Sequence, residues 1–126
     1  MPAHLAATLI AAFLLFYAFA SAALEGPRVA FVNPPAFVPD TEIITYYVRT
    51  PRHPENRLLI VAAFDGSERV SYTERQLHGE HSQALWNINW RLPEGQLELV
   101  AVVFDGQRQV GRVAHPLTVY SRLPAH

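Results

Sequence analysis

The stretch Leu85-Trp86-Asn87-Ile88-Asn89-Trp90-Arg91-Leu92 alternates, from Trp86 onward, between large apolar and polar side chains. A period of two residues is typical of a β-strand with one face in a core and the other in water. The pattern therefore predicts that the asparagines and Arg91 face solvent. The side chains predicted to face the core are Trp86, Ile88, Trp90 and Leu92. Tryptophans on such a face are usually core residues, so we interpret them as packing residues rather than a carbohydrate-stacking platform.

Further apolar runs lie on both sides of this stretch, and none after Gly26 shows helical periodicity. They are rich in Val, Ile, Tyr and Phe and are separated by clusters of Pro, Gly, Asp and Asn, as β-strands usually are. The predicted strands cover residues 28–33, 42–50, 57–64, 67–74, 84–92, 96–104 and 108–120. Seven strands with turn signals every 8–12 residues are typical of a seven-stranded immunoglobulin-like β-sandwich.

Two segments of the chain, residues 61–70 and 101–110, are similar to each other at an offset of 40 residues. Each has an apolar run, then Phe-Asp-Gly, then a polar run that ends in Val. Asp-Gly supplies the positive φ angles of a tight hairpin turn. We therefore predict two hairpins, which join the third strand to the fourth and the sixth to the seventh.

The N-terminal segment from Leu5 to Ala20 has sixteen residues, and its only polar groups are two hydroxyls. Ala20-Ser21-Ala22 follows as the A-x-A pattern that signal peptidase cleaves. We expect an N-terminal hydrophobic signal helix, a signal peptide at residues 1–22, a domain at residues 23–126, and a periplasmic or secreted protein. Cleavage after Ala20 is a second possibility. The alternative is an uncleaved anchor, because the segment to Leu24 is just long enough to cross a bilayer, and only then would the protein be attached to a membrane.

Composition excludes several kinds of function. The chain has 10 basic and 11 acidic side chains, so it lacks the basic excess that nucleic-acid binding requires. It has no cysteine, which excludes disulfides, thiolate metal sites and cysteine catalysis. An apolar fraction of 50% argues against intrinsic disorder.

His78-Gly79-Glu80-His81 is the constellation that most resembles a chemical site. Two histidines three residues apart could bind Zn²⁺ or Cu²⁺, and His53 and His115 are further candidate ligands. The alternative function is therefore a small periplasmic copper- or zinc-binding β-sandwich that uses His78 and His81. We favour a solvated loop, since a zincin site would require H-E-x-x-H on a helix.

No catalytic motif is present. The G-x-S-x-G nucleophile elbow of serine hydrolases is absent, and so is a Gly-rich phosphate-binding loop. Asp65 and Asp105 could suggest Ca²⁺, but the Asp-Gly turns account for both. We therefore predict a protein that is not an enzyme and that uses no cofactor.

The stretch Leu92-Pro93-Glu94-Gly95-Gln96-Leu97-Glu98-Leu99-Val100-Ala101, followed by Asp105-Gly106, resembles a signature of bacterial secreted immunoglobulin-like and fibronectin type III-like domains. The resemblance covers roughly the last 70 residues of the 126. Leu97 stands where the signature has tyrosine, so the usual tyrosine corner is missing. The resemblance implies a non-catalytic module that binds or spaces, and it implies no particular ligand.

The third and sixth predicted strands are apolar on both faces, whereas a sandwich strand usually has one polar face. In an immunoglobulin-like arrangement these strands are neighbours, so their outer faces would form one apolar patch. The predicted partner interface consists of Ile60, Phe64, Val100, Val102 and Phe104. We expect a module that mediates protein–protein interaction with a partner protein or a second copy. The alternative is that these residues only reflect β-propensity.

Overall fold

The structure, a computed structural model, describes residues 28–122. The predicted signal peptide at residues 1–22, with its helix and cleavage site, lies outside the described residues. The predicted domain at residues 23–126 lies within them except at its two ends.

All the strands of the described residues belong to two sheets. They are β1 (Ala30–Val32), β2 (Phe37–Pro39), β3 (Ile44–Arg49), β4 (Leu58–Asp65), β5 (Glu68–Gln76), β6 (Leu85–Trp90), β7 (Gly95–Asp105) and β8 (Arg108–Tyr120). The smaller sheet has the order β1-β3-β6, and the larger sheet has the order β2-β8-β7-β4-β5. The all-β, two-sheet fold is confirmed, but residues 28–122 contain eight strands instead of the seven predicted.

Strand β2 accounts for the additional strand. It lies close to Pro34 and Pro35 and ends at Pro39, a composition that indicates a turn when only the local sequence is considered. Strand β2 pairs in parallel with the end of β8, at the edge of the larger sheet, where proline is tolerated. Its formation depends on a distant part of the chain, which local patterning does not reveal.

Strand β6 has the two faces that its alternation predicts. Ile88 and Trp90 are buried and Trp86 is half-buried, whereas Asn87 and Asn89 are exposed. The indole Nε1 of Trp90 donates a hydrogen bond of 3.1 Å to Thr73 Oγ1 on β5. Strand β6 therefore contributes to the core between the sheets and is hydrogen-bonded to the opposite layer.

Strands β4 and β7 are antiparallel neighbours in the centre of the larger sheet, as expected. Their inward side chains are fully buried and form the middle of the core. These residues are Leu59, Val61, Ala63, Leu99, Ala101 and Val103. Since every second residue faces the core, the residues between them face away from the smaller sheet.

The two predicted hairpins are present. Gly66-Ser67 joins β4 to β5, and Gly106-Gln107 joins β7 to β8. The glycines have φ angles of 60° and 62°, which other residues rarely adopt. Each hairpin has a bulge at the equivalent place, after Ala63 and after Val103. The internal similarity of the sequence thus corresponds to two hairpins of the same construction.

Within residues 28–122, no helix has both the length and the apolar character that spanning a membrane would require.

Candidate functional site

The outer face of the larger sheet, which points away from the smaller sheet, contains an apolar band at its centre. The band combines alternate residues of β4 and β7, which the strand register places side by side. We define the apolar band as Ile60, Ala62, Phe64, Val100, Val102 and Phe104. All five residues of the predicted partner interface belong to it.

The members of the apolar band differ in their exposure. Ile60, Phe64, Val102 and Phe104 are half-buried and keep part of their surface in solvent. Val100 and Ala62, which are paired across the two strands, are only 6% and 5% exposed. A partner would therefore touch mainly the two phenylalanines, Ile60 and Val102.

One row of residues crosses the apolar band at a right angle to the strands and ends in a charge on each side. In register from β5 to β8, it contains Glu74, Ile60, Val102 and Arg112. Three spacings of about 4.8 Å separate four neighbouring strands, so the two charged residues are about 14 Å apart. The row therefore has an acidic flank, an apolar centre and a basic flank.

The acidic flank is organised by Tyr72, whose side chain is 38% exposed. Its hydroxyl donates a hydrogen bond to the Glu74 carboxylate, and this bond is the main reason why the pKa of the Tyr72 phenol is raised. The Arg69 guanidinium lies over the Tyr72 ring, 4.4 Å from its centroid. The flank thus contains an ordered aromatic residue with a cation on its face and an anion at its hydroxyl.

The basic flank is simpler. Arg112 is exposed on β8, and among the described residues it has no hydrogen bond or ion pair. The Glu74 carboxylate accepts its hydrogen bond from a neutral phenol. Arg69 lies near Glu74 on the other side of Tyr72, but within residues 28–122 neither Glu74 nor Arg112 forms an ion pair.

The predicted metal ligands lie elsewhere. His78 directly precedes the single 3₁₀ turn Gly79–His81, His81 is the last residue of that turn, and both side chains are exposed. The ring of His53 accepts a hydrogen bond from the Glu55 backbone, and the ring of His115 is 2.8 Å from the Pro35 carbonyl oxygen. In the part of the chain that the structure describes, no three or more His, Asp or Glu residues form a group that could hold a metal ion.

Sequence reasoning missed Asn56, which is only 1% exposed and connects several loops. Its amide nitrogen donates to the Pro51 carbonyl, its side-chain oxygen accepts from Arg28, and its backbone carbonyl accepts from Gly79. Nothing distinguishes this residue in the sequence from any other loop asparagine. It also missed the charged row, because Glu74 and Arg112 are 38 positions apart and only strand register brings them together.

Comparison with known proteins supports the fold. No model of a known protein family matches the chain, and no curated protein is significantly similar to it. Among solved structures, the sulfur carrier protein SoxY from Chlorobium limicola f thiosulfatophilum is similar, with a TM-score of 0.57 and 14% sequence identity. The similarity covers 75% of this chain and 81% of that one. At this level of identity, the likeness shows a shared all-β fold and nothing about shared activity.

Proposed function

We propose that this protein is a non-catalytic, immunoglobulin-like module of the periplasm or the extracellular space that mediates protein–protein interaction through the apolar band. The observation that carries this proposal is that Ile60, Phe64, Val102 and Phe104 remain partly exposed on one face of the sheet. A large apolar side chain that stays in water forgoes up to about 1.5–3 kcal/mol of burial. Four such residues in one contiguous patch are typical of a surface that binds another protein.

The strand order supports the immunoglobulin-like part of the proposal. In that fold, strands A, B and E share one sheet, and strands C, F and G share the other. The order β1-β3-β6 is similar to the first set and the order β8-β7-β4 to the second, while β2 and β5 are additional strands at the two edges of the larger sheet. The missing tyrosine corner at Leu97 is a departure from this pattern.

The location outside the cytoplasm rests on the apolar segment from Leu5 to Ala20 and the A-x-A site that follows it. Both lie outside the described residues. The absence of cysteine is compatible with the periplasm, where a domain of this size can be stabilised by its core alone.

The activity in the name of the similar structure does not carry over readily. SoxY is described as a sulfur carrier. This chain has no cysteine and therefore no thiol to which sulfur could be attached. The metal-binding alternative likewise gains no support from residues 28–122, where His78 and His81 have no third ligand nearby.

The substitution Val102→Glu tests the proposed function. Val102 is half-buried at the centre of the band, so a glutamate there can remain hydrated in the free protein but not under a partner. We expect the variant to fold and its association to weaken by about 30-fold or more, the factor typical of an interface hot spot. The measurements are thermal unfolding and the apparent mass of the native assembly in extracts of the compartment to which the protein is exported.

Asn87→Glu is the matched control, because Asn87 is exposed on the outer face of the smaller sheet. It should leave both the stability and the assembly unchanged. A folded Val102→Glu protein that remains in the same assembly as the parent would contradict the proposed function. So would a parent protein that is monomeric both in the extract and after purification.

A further inference from the structure

We propose that the partner on the apolar band is a second copy of this chain, packed face to face about a twofold axis that runs along the strands. This inference rests on the proposed function and names its partner. Its basis is the charge pattern of the row Glu74-Ile60-Val102-Arg112, in which opposite charges flank an apolar centre.

A twofold axis between β4 and β7 exchanges the two sides of the outer face. Glu74 of each copy then lies opposite Arg112 of the other, so the pair forms twice. Ile60 meets the second copy's Val102, and Ala62 meets its Val100. The same surface thus supplies both halves of a closed, isologous contact, which is the usual form of a homodimer interface.

The second charged pair at the Phe64 end of the band is consistent with the same axis. Phe64 is in register with Arg69 on one side and Glu98 on the other. Under the proposed symmetry, Arg69 lies one strand spacing, about 4.8 Å, to the side of the second copy's Glu98. Opposite charges therefore approach each other at two places along the interface.

The other simple symmetry is unfavourable. A twofold axis across the strands, through the same row, places Glu74 opposite Glu74 and Arg112 opposite Arg112. Like charges in such positions repel, and the partners of unlike charge are about 14 Å away. The charge pattern therefore selects the axis that runs along the strands.

The geometry is that of ordinary sheet packing. Faces of two sheets pack about 10 Å apart with their strands within about 30° of each other. Ile60, Phe64, Val102 and Phe104 would fill the centre, while Glu74 and Arg112 are long side chains at its margins. An apolar centre with a charged, hydrated margin is the common anatomy of protein interfaces.

Reciprocal charge substitutions test this inference on the protein purified in its exported form. Glu74→Arg places two arginine pairs in the dimer, and Arg112→Glu places two glutamate pairs there. Since each change converts two attractive contacts into two repulsive ones, we expect dimerisation of each variant alone to weaken roughly tenfold or more. Sedimentation equilibrium at low salt, where screening is weak, measures the change.

Mixing the two variants provides the decisive measurement. One copy then has arginine at both positions and the other has glutamate at both, so both cross-interface pairs are attractive again. We expect the mixture to form a heterodimer, visible by native mass spectrometry, and the double variant Glu74→Arg/Arg112→Glu to recover the homodimer. Glu94→Arg and Arg49→Glu, at exposed positions outside the row, are the controls and should dimerise like the parent.

Three outcomes would overturn the inference. A purified parent that stays monomeric at high concentration excludes the second copy as the partner. Single variants that dimerise like the parent, or a mixture that stays monomeric while each variant is folded, exclude the proposed symmetry. The proposed function is judged separately: if the purified parent is monomeric, the release of a different protein from the native assembly by Val102→Glu still supports it.

Discussion

The ring of Tyr46 packs in the core, but its hydroxyl is buried there without a hydrogen-bond partner among the described residues. Tyr46 is 2% exposed, and its ring packs in a tilted arrangement on Trp90, with 6.1 Å between the ring centroids. Burial raises the pKa of this phenol from 10.0 to about 12. The ring thus stabilises the core, whereas its hydroxyl does not.

The substitution Tyr46→Phe should therefore change the free energy of unfolding at pH 7 by less than about 1 kcal/mol, or raise it slightly, because it removes a buried unpaired hydroxyl. The parent should differ from the variant at high pH. Because the folded pKa of Tyr46 is raised from 10.0 to about 12, the unfolded parent loses this proton first, and the free energy of unfolding of the parent falls relative to that of the variant as the pH rises from 10 towards 12. Urea unfolding at pH 7 and pH 11 measures both effects.

Tyr47→Phe is the control for this experiment, because the Tyr47 side chain is 42% exposed on the opposite face of the same strand. Its free energy of unfolding at pH 7 should stay within about 0.5 kcal/mol of that of the parent, since this side chain lies largely in solvent. A loss of more than about 2 kcal/mol in Tyr46→Phe at pH 7 would show that the hydroxyl has a partner that stabilises the fold.

The strands and hairpins follow local chemistry to different degrees. Gly66 and Gly106 are at the positive φ angles that the Asp-Gly turns require, so local sequence specifies both hairpins. Gly111 in β8 is different. Its φ angle is ordinary, and glycine is required there because a side chain would have no space. A Cβ at this position would lie 2.6 Å from the Cβ of Arg28. The segment before β1 thus packs directly on the backbone of β8.

Gly111→Ala should lower the free energy of unfolding by about 1–3 kcal/mol, as is usual when a methyl group is forced into a packed contact. Chemical denaturation measures this loss. Gly66→Asn is the comparison, since nothing lies within 4 Å of that position and asparagine tolerates its positive φ angle. Its effect should be less than about 1 kcal/mol. Equal stability of Gly111→Ala and the parent would mean that residues 28 and 29 do not pack on β8.

In the molecule as a whole, one surface of the larger sheet is buried in the core and the other is partly exposed. The inner surface packs on the smaller sheet to form the core, and the outer surface bears the apolar band and its two charged flanks. An exported module with such a surface would meet its partner only after it has left the cytoplasm. Export is therefore part of the proposed function.

The proposed export predicts the first residue of the mature protein. Expressed with its own N-terminus in a bacterial host, the protein should be recovered outside the cytoplasm with Ala23, or less often Ser21, as its first residue, because signal peptidase cleaves after small residues in the A-x-A pattern. Intact-mass spectrometry identifies the N-terminus. Ala22→Asp should abolish cleavage after position 22. Recovery of the wild-type protein with Met1 retained, in the membrane fraction, would favour the anchor instead.

Local patterns were sufficient to predict the two faces of β6, both hairpins and the apolar outer faces of β4 and β7. The side-chain period of a strand and the backbone freedom of glycine act over a few residues, so they are visible without the fold. Contacts between distant residues decided the rest. Strand β2 forms only against β8, and Asn56 finds its partners only when three loops meet. Glu74 and Arg112 become the two flanks of one surface only through the register of four strands. Such pairings depend on the position of the whole chain in space, and one sequence contains no local signal for them.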